Sequence, residues 1–289
     1  MTRTQNGITF PAQRFSQRLG RMMRVDSRRM FMTPRLYVLC GICLVVPILI
    51  LVMTTMAGGM EMKNPQTGTV SSLEPFTNTW QIIGSVMDMA MFSGGIQTAA
   101  GADSTAEMGA GMDMTSMMNI NLVYFVAGVM VCLFVADDFR SGYAKNLFAI
   151  RAGKGDYVLS KLLVCTAASV FLLLSFFAGG MLGGAFAGLS FELEGATVLN
   201  LVMCMLAKVF LLPLFVSIFL SMSVWAKRKV WLSILLSLGA GMLLFMMIPM
   251  MTPLNAGVMH MGLCLAGGIL FSLGIGILSR LILARTDLV

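Results

Sequence analysis

The chain has 289 residues, a formal net charge of +7, and a composition that is 57% hydrophobic and only 11% charged. Soluble domains carry roughly 25% charged residues, so a water-exposed globular surface is excluded. A mean hydropathy of +0.86 places the chain among integral membrane proteins, with a single membrane domain.

In chain order, the residues before Pro11 carry no helical pattern and are expected to be unstructured. Residues 12–30, AQRFSQRLGRMMRVDSRRM, follow. Phe15, Leu19, Met22, Met23 and Met30 fall near one helical face, and Arg14, Arg18, Arg21, Arg24 and Arg28 flank or oppose it. That spacing predicts a basic amphipathic helix suited to lie on the inner leaflet of a membrane. Six apolar runs then reach the roughly 20 residues that a bilayer core requires. They lie near 36–57, 119–136, 160–189, 197–224, 230–250 and 258–283. Unpaired strand edges cannot be left in lipid, and the alternation of a membrane barrel is absent. The expectation is an all-α polytopic membrane protein of six transmembrane helices, with a cytoplasmic segment and interfacial helix at 1–35 and a membrane domain at 36–289. The first run starts late and has no small-residue cleavage site after it, so it is read as a retained span.

Lys and Arg placement gives orientation. All the basic residues except Lys63 and Lys208 fall before the first span, in the second-to-third and fourth-to-fifth connections, or at the tail. Both termini are therefore expected in the cytoplasm of a bacterial cell, at its cytoplasmic membrane. The positive charge reflects topology and anionic lipid rather than nucleic acid.

The largest external segment is expected at 58–118. Within it, 79–100 is apolar but interrupted by Asp88, Gly94 and Gly95, which suggests an external helix resting on the outer leaflet. The segment ends in a Met-rich stretch with Met108, Met112, Met114, Met117 and Met118. Thioethers are soft ligands for Cu(I), so copper handling is one alternative. The other is that Met, 29 residues of this chain, supplies adaptable apolar surface.

The second and third runs are separated by DDFRSGYAKNLFAIRAGKGDYVLSK, residues 137–161. It reads as a cytoplasmic elbow. A short helix over 141–150 would place Tyr143, Leu147 and Ile150 near one face with Phe148 beside it. Gly153 and Gly155 would end that helix, and Asp156 would cap the third span. In the third span, Gly179/Gly183, Gly180/Gly184 and Gly184/Gly188 are spaced four apart, which lets helix backbones approach closely, within the chain or between subunits.

Lys208 lies in the fourth run. If that span begins at Thr197, Lys208 is deep and needs a partner from among Asp88, Glu192 and Glu194. If it begins nearer Leu206, the side chain snorkels outward. Pro249 and Pro253 would break the end of the fifth span into a small external hook. His260, the single histidine, has no carboxylate, Ser or Cys partner nearby in sequence and reads as a packing residue. All six cysteines fall inside spans, and CGIC at 40–43 lacks the strand–helix context of a redox motif. Neither paired intramembrane acids, nor His-Glu-x-x-His, nor a Ser/His pair is present, so intramembrane proteolysis is not indicated. There is no G-x-x-x-x-G-K-[ST] phosphate loop, so no ATP-binding role is expected of this chain.

The elbow resembles the first cytoplasmic loop of ABC-2 type transporter permeases, including the lantibiotic-immunity and bacitracin-resistance kinds. The matching elements are Asp137 or Asp138, Gly142, Lys145, the cluster of Arg151, Lys154 and Tyr157, and the closing Ser160–Lys161. The order of parts is also similar across most of the chain. The resemblance implies an ABC-2 permease fold and a coupling helix, carrying Asp137, Asp138, Gly142, Tyr143, Lys145, Leu147, Phe148, Arg151, Lys154, Tyr157 and Lys161, that docks on a separate ATPase. It further implies two permease subunits, identical or homologous, working with two ATPase chains that bind ATP and Mg, to export an amphipathic cargo such as an antimicrobial peptide, antibiotic or lipid. No cofactor is expected in this chain. Lys208, Asp88, Glu192 and Glu194 are candidate pathway residues. The paired re-entrant helices of many relatives have no counterpart in the short connection around Pro249 and Pro253. A membrane sensor or scaffold of the same topology, without transport, is the alternative from another class.

Overall fold

The computed structural model describes residues 3–5, 8–10, 15–57, 61–63, 70–72, 76–84, 119–149, 154–193, 196–226, 229–245 and 248–285. Among them are nine α-helices and two short antiparallel hairpins. The helices are α1 (Phe15–Phe31), α2 (Pro34–Ala57), α3 (Leu122–Arg140), α4 (Tyr143–Ala149), α5 (Lys154–Ala187), α6 (Val198–Ala226), α7 (Val230–Phe245), α8 (Ile248–Met251) and α9 (Val258–Arg285). The hairpins pair β1 (Arg3–Gln5) with β2 (Ile8–Phe10) and β3 (Glu61–Lys63) with β4 (Val70–Ser72). The first hairpin corrects the expectation of an unstructured start. Its strands flank Asn6-Gly7, a dipeptide that favours two-residue hairpin loops.

Among the described residues five helices are long and apolar enough to cross a membrane: Pro34–Met56, Leu122–Arg140, Lys154–Ala187, Val198–Ala226 and Val258–Leu283. The chain is thus an all-α, polytopic membrane protein. The expected fifth span differs from its expectation. Among the described residues it comprises the 16 residues of α7, about 24 Å at 1.5 Å per residue, against a hydrocarbon core of roughly 30 Å. Ile248–Met251 forms a turn of helix containing Pro249, and residues 246 and 247 lie outside the described residues.

α3 is the centre of the bundle. Its apolar window is 67% buried, against 22% for α2 and 17% for α9. It packs on α5, α6 and α7, while α9 leans on α6 and α2 leans on α5. Aromatic rings fill the middle: Tyr124 on Phe215 with centroids 4.6 Å apart, Phe125 on Phe245 at 5.0 Å, and Phe215 beside Phe219. Gly128 is the residue that leaves room for the Phe219 ring.

The glycine spacing in the third span is used inside the chain. A Cβ at Gly179 would collide with the Leu44 carbonyl and meet Pro47 Cγ at 2.7 Å, and one at Gly183 would meet Ile48 Cα at 2.8 Å. α2 and α5 therefore touch backbone to backbone, with the Pro47 ring seated against glycine. One residue on from each, Gly180 and Gly184 receive Ile82 and Thr79. These belong to a short 3-10 turn, Thr79–Ile82, closed at its start by a capping box of Asn78 and Gln81. The first residues of the expected external helix thus pack into the bundle, and its remainder, 85–100, lies outside the described residues.

α5 has 34 residues, about 51 Å of helix, and exceeds a bilayer core by several turns. Its N-terminal turns extend beside the C-terminal turns of α3 and α9 and against α1: Lys161 pairs with residues of α1 and α3, and the Lys154 ammonium donates to the Leu283 carbonyl. This is the basic end of the bundle. The opposite end is closed by the 76–84 segment, residues 119–121 and residues 252–256, whose Ile82, Ile120, Leu254 and Ala256 are buried.

Candidate functional site

At the basic end, helical spacing brings polar residues onto faces that should be apolar. Met22, Asp26 and Met30 are four apart, so they share one face of α1, and that face is buried. Tyr157 and Lys161 are likewise four apart on α5, with Ser160 beside them, and Phe134 and Asp138 are four apart on α3. These three faces converge.

The Lys161 ammonium lies 2.8 Å from Asp26 Oδ1 and 2.7 Å from Asp138 Oδ2, and all three side chains are fully buried. Ser160 donates to the second Asp26 oxygen at 2.7 Å, and the Tyr157 hydroxyl donates to Asp138 Oδ2 at 2.9 Å. Arg29 Nη1 donates to Asp138 Oδ1 at 2.7 Å. The Lys161 ammonium also sits 3.9 Å from the Phe134 ring centroid. Two carboxylates thus face two cations, and every carboxylate oxygen has a donor. Satisfaction of this kind is what lets buried charges persist, because each unpaired ion would cost several kcal/mol. Burial of Arg29 works against its charge, but the charge and hydrogen bond of Asp138 outweigh it, and the guanidinium pKa is raised.

α4 rests on this cluster. α3 ends at Arg140 and is capped by Ser141, whose backbone N–H and side chain both donate to the Asp137 carbonyl. Gly142 follows at φ +73°, a left-handed conformation that favours glycine and turns the chain out of the helix. The Tyr143 ring then lies under Arg29, 4.0 Å from its guanidinium carbon, and Phe148 stands edge-on to Tyr157 at 5.4 Å. Burial, followed by the charge of Asp26, raises the Tyr143 pKa, with Arg29 opposing. Leu147 and Phe148 are half-buried against the core. They are therefore seats for α4 rather than outward knobs, and the outward face is carried by the exposed Lys145 and Asn146.

The structure thus brings together Asp138, Tyr143, Phe148, Tyr157 and Lys161 from the expected set. Asp137 lies beside them in an exposed ion pair with Arg35. Lys154 reaches the Leu283 carbonyl at 2.9 Å. Arg151 lies outside the described residues. Sequence reasoning missed Asp26 and Arg29, and it named Ser160 only as the neighbour that closes the elbow with Lys161. A signal existed for Asp26: it is the only acid before Glu61, and it stands on the apolar side of a helix rich in arginine.

A second polar centre lies toward the opposite end. Lys208 is fully buried, ten residues into α6. Its ammonium donates to Asn121 Oδ1 at 2.9 Å and to Thr252 Oγ1 at 2.8 Å, so neutral oxygens hold it. Glu192 is exposed and offers its backbone carbonyl to Asn78. Asp88, Glu194 and the methionines Met108, Met112, Met114, Met117 and Met118 lie outside the described residues. Among the described residues no group of three or more His, Cys, Asp or Glu could hold a metal ion. His260 is half-exposed.

A family model described as ABC-2 family transporter protein matches residues 77–246, which is more than half of the chain. No curated protein and no solved structure matches. The matched region runs from the 3-10 turn through α7. It contains Asp138, α4, Tyr157, Lys161 and Lys208, whereas Asp26 and Arg29 precede it. Permeases of this family are non-catalytic membrane subunits, in keeping with a sequence that has no phosphate loop. The chain belongs to the ABC-2 family of membrane transporter proteins.

Proposed function

We propose that the chain is the membrane-spanning permease subunit of an ATP-driven exporter. Two permeases, identical or homologous, work with two ABC ATPase chains that bind ATP and Mg. The cargo class is amphipathic: an antimicrobial peptide, an antibiotic or a lipid. The basic end faces the cytoplasm, with both termini, α1 and α4 on that side. Residues 36–289 form the permease domain, and α7 with α8 supplies a sixth crossing. Residues 1–35 carry α1 along the inner interface, where its buried face is turned to α5 and its exposed arginines, Arg21, Arg24 and Arg28, meet anionic lipid.

The observation that carries this reading is how α4 is seated. A helix that transmits force must not slide on its base. Tyr143 and Phe148 rest on Arg29 and Tyr157, and those two are fixed by Asp138 to Lys161 and Asp26. A push on the exposed face of α4 would therefore move α1, α3 and α5 together, opening or closing the space between permeases. Asp137, Gly142 and Lys145 set the angle and outer face of this handle.

The test is assembly with an ABC ATPase co-expressed with the full chain. Lys145→Glu with Asn146→Glu should lower ATPase retention at least tenfold while leaving the melting temperature of the permease unchanged, since both side chains are exposed. Unchanged retention would refute docking on this face.

A further inference from the structure

A groove opens at the basic end between α1, the first turns of α5 and the last turns of α9. Its rim carries three cations from three helices, Arg18, Lys154 and Arg280, against one carboxylate, Asp156. Arg18 approaches Asp156 only to 3.6 Å and is about half exposed, and Arg280 is exposed beside Gly155. Below the rim the lining from α5 and α9 becomes apolar, with Leu162, Leu273 and Ile277.

The two parts are separated along the helix axes. From Arg280 to Leu273 is seven residues of α9, and from Lys154 to Leu162 is eight residues of α5, so the apolar floor runs about 10–12 Å away from the cations. Leu273 and Ile277 are exposed and continuous with Leu270, Phe271, Leu278 and Leu281 on the outer face of α9. A free phosphate would use the rim and leave the floor empty. A phospholipid uses both, with its phosphate at the cations and the start of an acyl chain on the floor.

We propose that this groove is a binding site for one anionic diacyl phospholipid, with the headgroup phosphate held by Arg18 and Arg280 and the proximal acyl chain lying between α5 and α9. The lipid bridges α1 to α9, two elements that the ion-pair cluster does not join. The site requires that the helices span a bilayer and is independent of which cargo is moved.

The test is native mass spectrometry of the delipidated full chain in detergent, titrated separately with phosphatidylglycerol, phosphatidylcholine and inorganic phosphate. Two cations at an anionic headgroup correspond to a preference of roughly 30-fold, so the first phosphatidylglycerol should bind about that much tighter than phosphatidylcholine. The preference should vanish in Arg18→Gln with Arg280→Gln. A second variant leaves the charges alone: open space stands where a Cβ would project from Gly276, so Gly276→Phe fills the groove without a clash and should weaken binding at least tenfold. Equal affinity for the two lipids, or a preference that survives loss of both arginines, would overturn the proposal. Full displacement by millimolar phosphate, or unchanged binding in Gly276→Phe, would also overturn it, since the rim would then be a site for simple anions.

Discussion

Removing the Lys161 charge tests whether the buried cluster fastens α1 to the bundle. In Lys161→Met the side chain keeps its length and loses its ammonium. Asp138 retains Arg29 at 2.7 Å and the Tyr157 hydroxyl at 2.9 Å. Asp26 retains only the Ser160 hydroxyl, so a fully buried carboxylate loses its counter-ion. Breaking a buried pair in this way costs about 3–5 kcal/mol. The least costly relief is for α1 to lift off and hydrate Asp26, which exposes the backbone around Arg21, Arg24 and Arg28 to protease. Cleavage limited by such opening follows its equilibrium population, so trypsin nicking within α1 should accelerate roughly a hundredfold or more. Asp26→Leu alone should also destabilise, because Lys161 and Arg29 then share one carboxylate. The double variant, Asp26→Leu with Lys161→Met, leaves the balanced Arg29–Asp138 pair and an apolar contact in place of the lost one, an exchange that is often neutral. It should be no worse than the more damaging single change, an interaction of at least about 2 kcal/mol between the sites. Unchanged nicking in Lys161→Met, or strictly additive effects in the double variant, would refute the argument.

Lys208 should respond in the opposite manner. Among the described residues its ammonium is held by neutral Asn121 and Thr252, so Lys208→Met removes a buried charge without stranding a described carboxylate; the melting temperature in detergent should stay level or rise, and a fall of more than a few degrees would contradict this. If transport is lost while stability is kept, the charge serves the pathway. Gly179→Leu should be severely destabilising, since even a Cβ there runs into the Leu44 carbonyl; Gly262→Leu, at a position with open space around it, is the matched control and should be tolerated. Equal yields of folded protein from the two would refute close packing of α2 on α5.

The long apolar runs and the elbow between two of them were legible because each is a local property of composition or spacing. The four-residue glycine period likewise foretold a close contact, although only the fold shows that Pro47 and Leu44 of the same chain receive it. The cluster was half legible. Asp138, Tyr157 and Lys161 sit in the polar elbow, but Asp26 is 135 residues away from Lys161, and pairing at that separation leaves no local trace beyond an acid on an apolar face. The helical period of α4 identified a face with Tyr143 and Leu147, but period alone does not say whether a face turns toward its own bundle or away, and here it turns inward. Lys208 was sought a carboxylate partner on grounds of charge; among the described residues two neutral oxygens supply its hydrogen bonds, and Asp88 and Glu194 lie outside those residues. The first hairpin was missed: the residues before Pro11 were expected to be unstructured, and the Asn6-Gly7 turn signal went unread.

The central claim is that α4 is a handle on the cytoplasmic side, gripped by an ATPase. Its most direct test is labelling of Lys145→Cys with a membrane-impermeant maleimide, in intact cells and in inverted membrane vesicles, with and without the co-expressed ATPase. The expected result is labelling in inverted vesicles alone and protection when the ATPase is present. Labelling from outside intact cells, or equal labelling with and without the ATPase, would contradict the account.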